Sequence, residues 1–569
     1  MDVHLGAKLI WLVGAIWFNS AVGLWSQVDR PVPGEQPASW MAPQPAHQSA
    51  LQQALEYESR EQWADALMVY QQALKHQPHD PTLLHKRALA RIHYDLARRY
   101  NDQSYLNQVQ QLDYRRASNL YAEVLQKIGS YHVETPDWHA LSRYGLTSLQ
   151  TALGQRVFRD QFLARRSDEQ VNRAWESLQI ALQNVAVRSR TDSIWVADRT
   201  AQIMQDQLGL SPTVVFHEFV CGATASLDLY SSFLTQDQYQ DTMSQIDGNF
   251  VGLGVELKLQ RDALDIVNVI HHGPAGRGGI RAGDKILAVN DQAVSQIGAE
   301  KCADLLRGPE GTFVSVQVQQ ANGQINTLSL QRRRVEIPSF DQVSIIDATH
   351  GIAYARLVNF QKTTGQDLDA ALWQLHQQGM RHLIVDVRGN PGGLLTAAVD
   401  VANRFIDRGI LVSTKGRNTL EDFTHQAQAE GTWRVPLIVL IDENSASASE
   451  IFAAAIADHG RGTIVGQQSY GKGSVQGIFP LGGSAGGLRL TTALFYSPRG
   501  TAISQRGVVP DIAVQQTAKL TIHDQENSAK PSAEDPTLRA AVNLFQRPSN
   551  PAASHRAATD HALPPVTNQ

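Results

Sequence analysis

The sequence predicts a multidomain α/β protein with an all-α N-terminal region. Three observations carry that expectation. A length of 569 residues exceeds one domain, since about 150 residues per domain gives three or four units. Residues 50–210 are poor in glycine and show long helical apolar periodicities, whereas from Gly351 onward short apolar runs alternate with helical stretches, the pattern of an α/β layer. Between the two, residues 249–332 are strand-rich and punctuated by turns.

Composition narrows the class. A hydrophobic content of 42% supports real cores, and a mean hydropathy of −0.27 excludes a polytopic membrane protein. Fifty Lys+Arg against 55 Asp+Glu leaves a net charge of −5. That balance argues against a nucleic-acid binder, which carries a basic field. Charged residues are only 18%. Two cysteines, Cys221 and Cys302, exclude a disulfide framework and a four-thiolate zinc site. The histidines are scattered, and His217-Glu218-Phe219-Val220-Cys221 lacks the second histidine of a zincin motif. No metal and no cofactor is expected.

In chain order, residues 1–26 read as an export leader or an uncleaved membrane anchor. Lys8 and the amino terminus precede the mostly apolar stretch Leu9 to Trp25, broken by Asn19 and Ser20. That stretch is short for a spanning helix, which needs about 20 apolar residues. Ala21 and Gly23 offer small residues for cleavage; a buried or interfacial helix is the other reading. Residues 27–49, with Pro31, Pro33, Pro37, Pro43 and Pro45, form a polar linker. Residues 50–211 are helical. Within them Tyr57, Ala66, Tyr70, Ala73 and Pro78 sit at the offsets of a tetratricopeptide helix pair. A shift by one repeat brings back almost nothing, so an ordinary helical hairpin stands beside that reading. Either suits a recognition or assembly domain, hence an adaptor or oligomer contact. The texture changes near 212, and residues 516–569 form a Pro/Ala/Ser-rich tail expected to be largely disordered.

In 249–332, strands are expected at Val251–Leu259, Ala263–Val269, Lys285–Val289, Val314–Gln319 and Thr327–Leu330, with one helix at about Ile297 to Arg307. In the α/β layer, strands fall at Ile352–Leu357, His382–Val387 and Leu437–Ile441. Helices fall at Asp367–Gln377, Thr396–Asp407 and Ala448–Asp458.

Three strand-flanking loops carry chemistry. Asp386-Val387-Arg388-Gly389-Asn390-Pro391-Gly392-Gly393 is a glycine-rich strand-to-helix turn that presents bare backbone N–H groups. Asn444-Ser445-Ala446-Ser447-Ala448-Ser449-Glu450 is a second such turn. Gly471-Lys472-Gly473-Ser474-Val475-Gln476 follows the short strand Thr463–Gly466. With Gly466 it nearly fits a phosphate loop, but Gly473 replaces the Mg²⁺-binding Ser/Thr and a strand follows where a helix must open.

The alternative is a serine nucleophile with a lysine base. A serine hydroxyl is inert at neutral pH unless a neighbour takes its proton, and lysine can do so only when desolvated and uncharged. On a strand, Lys472, Ser474 and Gln476 share one face, so Gln476 could hold the amine. Ser447 at a helix start would leave its own N–H and that of Ala448 exposed, half of an oxyanion hole, with the Gly392-Gly393 turn supplying the rest. Glu450 falls one turn on, beside Ser447. Taken singly, the serines read as helix caps, Lys472 as a loop lysine and Asn390–Gly393 as a turn.

Together, in this order and spacing, these segments resemble the C-terminal-processing (tail-specific) serine peptidases. The resemblance covers about 212–515. It rests on Ser445–Glu450, Tyr470–Gly473, Asp386–Gly393, Gly487–Thr492, Gly507–Asp511 and Ser226–Leu234, the last with Leu229 where a proline is usual. Residues 249–332 are similar to a PDZ domain, with Gly252-Leu253-Gly254-Val255 resembling its carboxylate-binding loop. On the residues alone that loop reads first as part of a plain β-sandwich, and only the surrounding peptidase motifs favour the PDZ reading. The resemblance implies a PDZ β-sandwich-like domain inserted into an α/β Ser-Lys peptidase domain, split into 212–248 and 333–515. It implies endoproteolysis near the C termini of protein or peptide substrates. Ser447 would be the nucleophile, Lys472 the general base and Gln476 its orienting group. The N–H groups of Ala448 and Gly393 would hold the oxyanion, and Glu450 would support them. Such an enzyme would be exported, periplasmic or in the cell envelope. The competing expectation is a catalytically inactive scaffold whose helical and PDZ domains bind protein tails.

Overall fold

The computed structural model describes residues 9–11, 46–78, 80–260, 262–270, 272–482, 486–514 and 535–546. Residues 1–26 apart from Leu9–Trp11, most of the proline-rich linker and most of the C-terminal tail, save 535–546, therefore lie outside the described residues. The chain divides into two compact units. One comprises Met1–Ile337, Ser413–Thr424 and Gly473–Tyr496; the other comprises Pro338–Val412, His425–Lys472 and Ser497–Gln569.

The first unit begins with helices. Their starts are written in the sequence: the carboxylates of Asp80, Asp102, Asp113 and Asp137 each accept an N–H from the first turn of the helix that follows. Pro81 occupies a first-turn position where its missing N–H costs nothing. Ser167 and Gln170 cap each other's backbone reciprocally. In the pair Ala46–Ser59 and Trp63–His76, Ala54, Ala66 and Tyr70 are fully buried, and the Tyr70 hydroxyl donates to Glu58 at 2.7 Å. The helices from Pro81–Arg99 to Pro212–Leu227 enclose a core of Tyr100, Tyr105, Tyr121, Phe158, Phe216 and Phe219. No helix among the described residues is long and apolar enough to cross a membrane.

The strand-rich segment of this unit is an antiparallel sheet ordered Leu9–Trp11, Val255–Leu259, Leu264–Val269, Lys285–Val289, Phe313–Gln319 and Ile325–Gln331. One expected strand is split and one expected helix is bounded, each at a glycine with positive φ. Gly254 (φ 77°) breaks the expected strand Val251–Leu259, so that Asn249–Gly252 pairs with Arg333–Glu336 and only Val255–Leu259 enters the larger sheet. Gly298 (φ 89°) caps the expected helix, found as Ala299–Leu306, and separates it from an unexpected short helix, Val294–Ile297. Within the stretch expected to be a leader, Leu9–Trp11 forms a short strand that pairs antiparallel with Glu256–Lys258. A further sheet of this unit joins Ser413–Gly416, Gly487–Tyr496, Ser474–Pro480 and Ser232–Leu234.

The second unit is the α/β layer. Its sheet runs Phe340–Asp347, Ile352–Leu357, His382–Asp386, Leu437–Ile441, Thr463–Gly466 and Ile512–Ala513. The first pair is antiparallel and the rest are parallel. The central strands Leu383–Asp386 and Leu437–Ile441 are buried throughout, as expected for parallel strands covered on both faces. One face packs on the helix Pro536–Gln546 through Leu538 and Ala541. This architecture puts two strand-to-helix turns, after Asp386 and after Ile441, at the C-terminal edge of neighbouring parallel strands, where open α/β sheets place their sites.

Candidate active site

The turn after Ile441 is built around Asp442, whose carboxylate accepts the N–H groups of Asn444 and Ser445 at 3.0 Å and that of Gly389 at 2.9 Å. It therefore staples the two turns together. Two of the three serines are spent on structure: Ser445 Oγ donates to Val387 O at 2.8 Å, and Ser449 Oγ to Asn390 O at 3.0 Å. These two pack the turn and cap no helix. Ser447 takes the N-cap position and pairs with Glu450 in a capping box. It precedes the helix Ala448–Asp458 with φ 55° and ψ −112°, a conformation a side chain adopts only under strain of about 1–3 kcal/mol. A serine held on a strained strand-to-helix turn is the arrangement that lifts a nucleophilic hydroxyl clear of its own backbone.

Glu450 holds this turn. The carboxylate is fully buried and accepts from Ser447 N–H at 2.8 Å, Ser469 Oγ at 2.6 Å, Gly471 N–H at 2.6 Å and Lys472 N–H at 2.9 Å. One side chain thus fixes the backbone of both Ser447 and Lys472. Burial raises its pKa above the usual carboxylate range, outweighing the four donors that pull it down. Tyr470 N–H also donates to Ser445 O at 3.0 Å, so the lysine segment runs alongside the serine turn.

The glycine turn closes against the same place. A Cβ on Gly392 (φ 108°) would stand 2.7 Å from Ala446 O, 2.8 Å from Ser447 Cβ and 2.9 Å from Ala448 N, so only glycine fits. Gly393 (φ 139°) approaches Phe360 so closely that a Cβ would lie 1.9 Å from its carbonyl oxygen. Around them the N–H groups are used: Gly392 donates to Asn390 Oδ1 and Leu394 to Phe360 O, both at 2.8 Å. The N–H groups of Gly393 and Ala448 make no hydrogen bond among the described residues.

Sequence reasoning missed Asn390 and Ser469. Buried Asn390 donates from Nδ2 to Leu357 O at 2.8 Å, and its own carbonyl accepts from Ala446 N–H at 3.1 Å. An Asn before Pro-Gly-Gly is the available signal, since Asn turns its side chain onto backbone two residues on. Ser469 passes Glu450's hold onward by accepting Val508 N–H at 2.6 Å; nothing in its local sequence marks it. Gln476 lies on the strand Ser474–Pro480 in the other compact unit, where its Nε2 donates to Ser474 Oγ at 2.9 Å. Simple strand alternation from Lys472 to Gln476 does not hold: Lys472 precedes the strand, and a bulge sits between Val475 and Gln476. At Gly252–Val255 the carbonyls of Leu253 and Gly254 accept from Ala275 and Ile270, each at 2.8 Å.

The His217-Glu218 pair belongs to the helical core. Glu218 is gripped by Arg99, by Tyr100 Oη at 2.6 Å and by Ser148 Oγ at 2.6 Å. Burial pushes His217 down to about 4 and Cys221 up to about 12. Among the described residues no three such side chains form a metal-binding group.

Comparison with known proteins fits this geometry. Residues 351–514 match the model of peptidase family S41, and residues 266–320 match a PDZ domain. The chain is 38% identical over 300 residues to a carboxy-terminal-processing protease of Bartonella bacilliformis, covering 52% of this chain and 68% of that one. It belongs to peptidase family S41. Carboxyl-terminal-processing proteases of Picosynechococcus sp. and Synechocystis sp. are each 32% identical; the matches cover 51% and 50% of this chain and 70% and 68% of theirs. As a family member the chain is a serine-type endopeptidase of the carboxyl-terminal-processing kind, with an N-terminal helical region and a PDZ domain. Both strand-to-helix turns and the Lys472 segment lie inside the matched peptidase region. The Gly252–Val255 loop precedes the matched PDZ segment and joins that domain through the edge strand Val255–Leu259.

Proposed function

We propose that Ser447 and Lys472 form the catalytic dyad. The single observation that carries this is the Glu450 carboxylate, which fixes the backbone of both residues while Ser447 is strained and Gly392 is packed against it. Ser447 Oγ attacks the scissile carbonyl and passes its proton to the neutral Lys472 amine. The oxyanion is received by the N–H groups of Ala448 and Gly393, which no acceptor among the described residues claims. Lys472 then returns the proton to the leaving amine, and water releases the acyl group by the reverse path.

The PDZ domain is proposed to recognise the substrate tail. A trans peptide turns its N–H opposite its carbonyl. The inward bonding of the Leu253 and Gly254 carbonyls therefore favours the Gly254 and Val255 N–H groups as receivers of a terminal carboxylate. The edge strand beside them accepts an added antiparallel strand, since Leu9–Trp11 pairs there. The leader suits an exported, envelope-located enzyme, and the helical region is proposed as its adaptor or assembly surface, tetratricopeptide-like at Trp63–His76.

Lysine chemistry supplies the test. Cleavage of an unfolded protein with an apolar C terminus should rise with pH as Lys472 loses its proton. Lys472→Met should abolish cleavage; full activity in that variant would refute the dyad. Amidating a peptide's C-terminal carboxylate should weaken its binding, and unchanged affinity would refute the role of the loop.

A further inference from the structure

Away from the catalytic turns, the α/β unit carries an open cleft of about 730 Å³, within the range of small-molecule sites. One wall is the helix Thr364–Gln377. Asp369, Trp373 and His376 stand on it at spacings of four and three residues, hence on one face. Facing them are Asn403 and Arg404 at the end of the helix Leu395–Asn403, and the loop from Gln428 to Arg434.

The cleft is built and held. Arg404 grips Asp369 through two bonds, at 2.7 and 2.8 Å. Trp433 N–H donates to Arg404 O at 2.7 Å, and its carbonyl accepts from Arg461 at 2.8 Å. Gln428 N–H donates to Asn403 Oδ1 at 2.6 Å. Trp373 meets Trp433 edge-on, with centroids 5.3 Å apart, and His376 lies 5.7 Å from Trp433. Yet Trp373 is 59% exposed. A large ring fixed by its neighbours and left open to water presents a rigid apolar face to an incoming partner.

The chemistry of the lining chooses that partner. Among the described residues that line the cleft, none has an aliphatic side chain; besides the two tryptophans and Gly431 the wall is Asp, Glu, Asn, Gln, Arg and Thr. An apolar side chain would find no aliphatic pocket. Asp369 is paired with Arg404, and Arg434 with Asp407, so the lining offers a charged ligand no uncompensated pair of like-signed groups to bind it. A neutral ring with C–H groups on its face and hydroxyls around its edge satisfies both parts: its face stacks on indole, and its vicinal hydroxyls pair with planar carboxylate, carboxamide and guanidinium groups. We propose that this cleft is a binding site for a neutral saccharide, separate from the dyad, by which the peptidase is held on glycan.

Saturation-transfer NMR and calorimetry on the full chain, with chitotriose and cellotriose as probes, test it. At least one should bind saturably, and Trp373→Ala should weaken it about tenfold or more, as loss of a stacking anchor does. Trp373→Phe should keep most of the affinity. Because Trp373 is exposed, the alanine variant should fold and cleave protein substrate at the parental rate. No saturable binding of either probe, or equal binding by Trp373→Ala, would overturn the proposal. So would binding of a proline-rich peptide at this cleft in place of either sugar.

Discussion

Glu218 and Glu450 are both sealed from solvent, one in each compact unit, and they are held by opposite kinds of partner. Glu218 is met by side chains: the Arg99 guanidinium and the hydroxyls of Tyr100 and Ser148. Those groups come from the end of the helix Pro81–Arg99 and from Trp138–Gly154, so this acid ties its own helix Pro212–Leu227 to two others. Glu450 is met chiefly by backbone: the N–H groups of Ser447, Gly471 and Lys472, with one hydroxyl. It ties together loops whose own geometry is strained. A buried acid facing side chains stabilises a fold, whereas one facing loop backbone sets the position of what the loops carry.

The largest expected effect is on stability at Glu218. Glu218→Ala would leave the Arg99 charge buried and uncompensated, a loss of about 3–5 kcal/mol. Chemical denaturation should show it, and activity per folded molecule should stay near parental. Glu450→Gln comes next. The carboxamide keeps the volume but turns an N–H₂ group toward donors. We expect kcat to fall by about a hundredfold, some 2–3 kcal/mol of misplaced geometry, with KM and melting temperature little changed. If instead Glu450→Gln melted the protein and left kcat intact, the contrast between the two acids would collapse. Gly392→Ala tests the same position from the other side, since its Cβ would press on Ala446, Ser447 and Ala448. It should lower kcat by about tenfold or more, with a smaller effect on stability.

The smallest effects are in pH dependence. Glu450's folded-state value is raised, so its contribution to stability is full below the unfolded carboxylate value and is lost as pH rises through the folded one. The clamp needs the carboxylate, so activity should fall on acidification at a higher pH than an ordinary glutamate gives, and Glu450→Gln should remove that limb. Asp228, in the other unit, has the reverse sign. Burial works to raise it, but His132 at 3.0 Å, Ser231 and the N–H of Tyr230 outweigh burial and hold it well below the usual range. Its stabilisation is present above the unfolded carboxylate value and lost as pH falls through the folded one. Asp228→Asn should therefore flatten the acid side of the stability curve.

The sequence revealed the fold class because periodicity and turn residues are local. The strands Ile352–Leu357 and Leu437–Ile441 and the helix Ala448–Asp458 stand where apolar runs and the glycine turns put them. The breaks at Gly254 and Gly298 were not legible, because a glycine inside an apolar run says only that φ is free. The site divides in the same way. Ser447, Lys472 and Glu450 could be picked out because type and spacing along the chain mark them. Ser469 could not, because its partners are set by tertiary approach, and Asn390 carried only a local turn signal, since its bond to Leu357 O is tertiary. The bulge between Val475 and Gln476 broke an alternation argument that only an unbroken ladder would support.

The most direct measurement is cleavage of an unfolded protein with an apolar C terminus by the full chain and by Ser447→Ala, with the fragments mapped by mass spectrometry. The parental chain should cut near the C terminus, and the folded Ser447→Ala variant should make no such fragments. Persistent cleavage by Ser447→Ala at the same sites would contradict the assignment of the nucleophile.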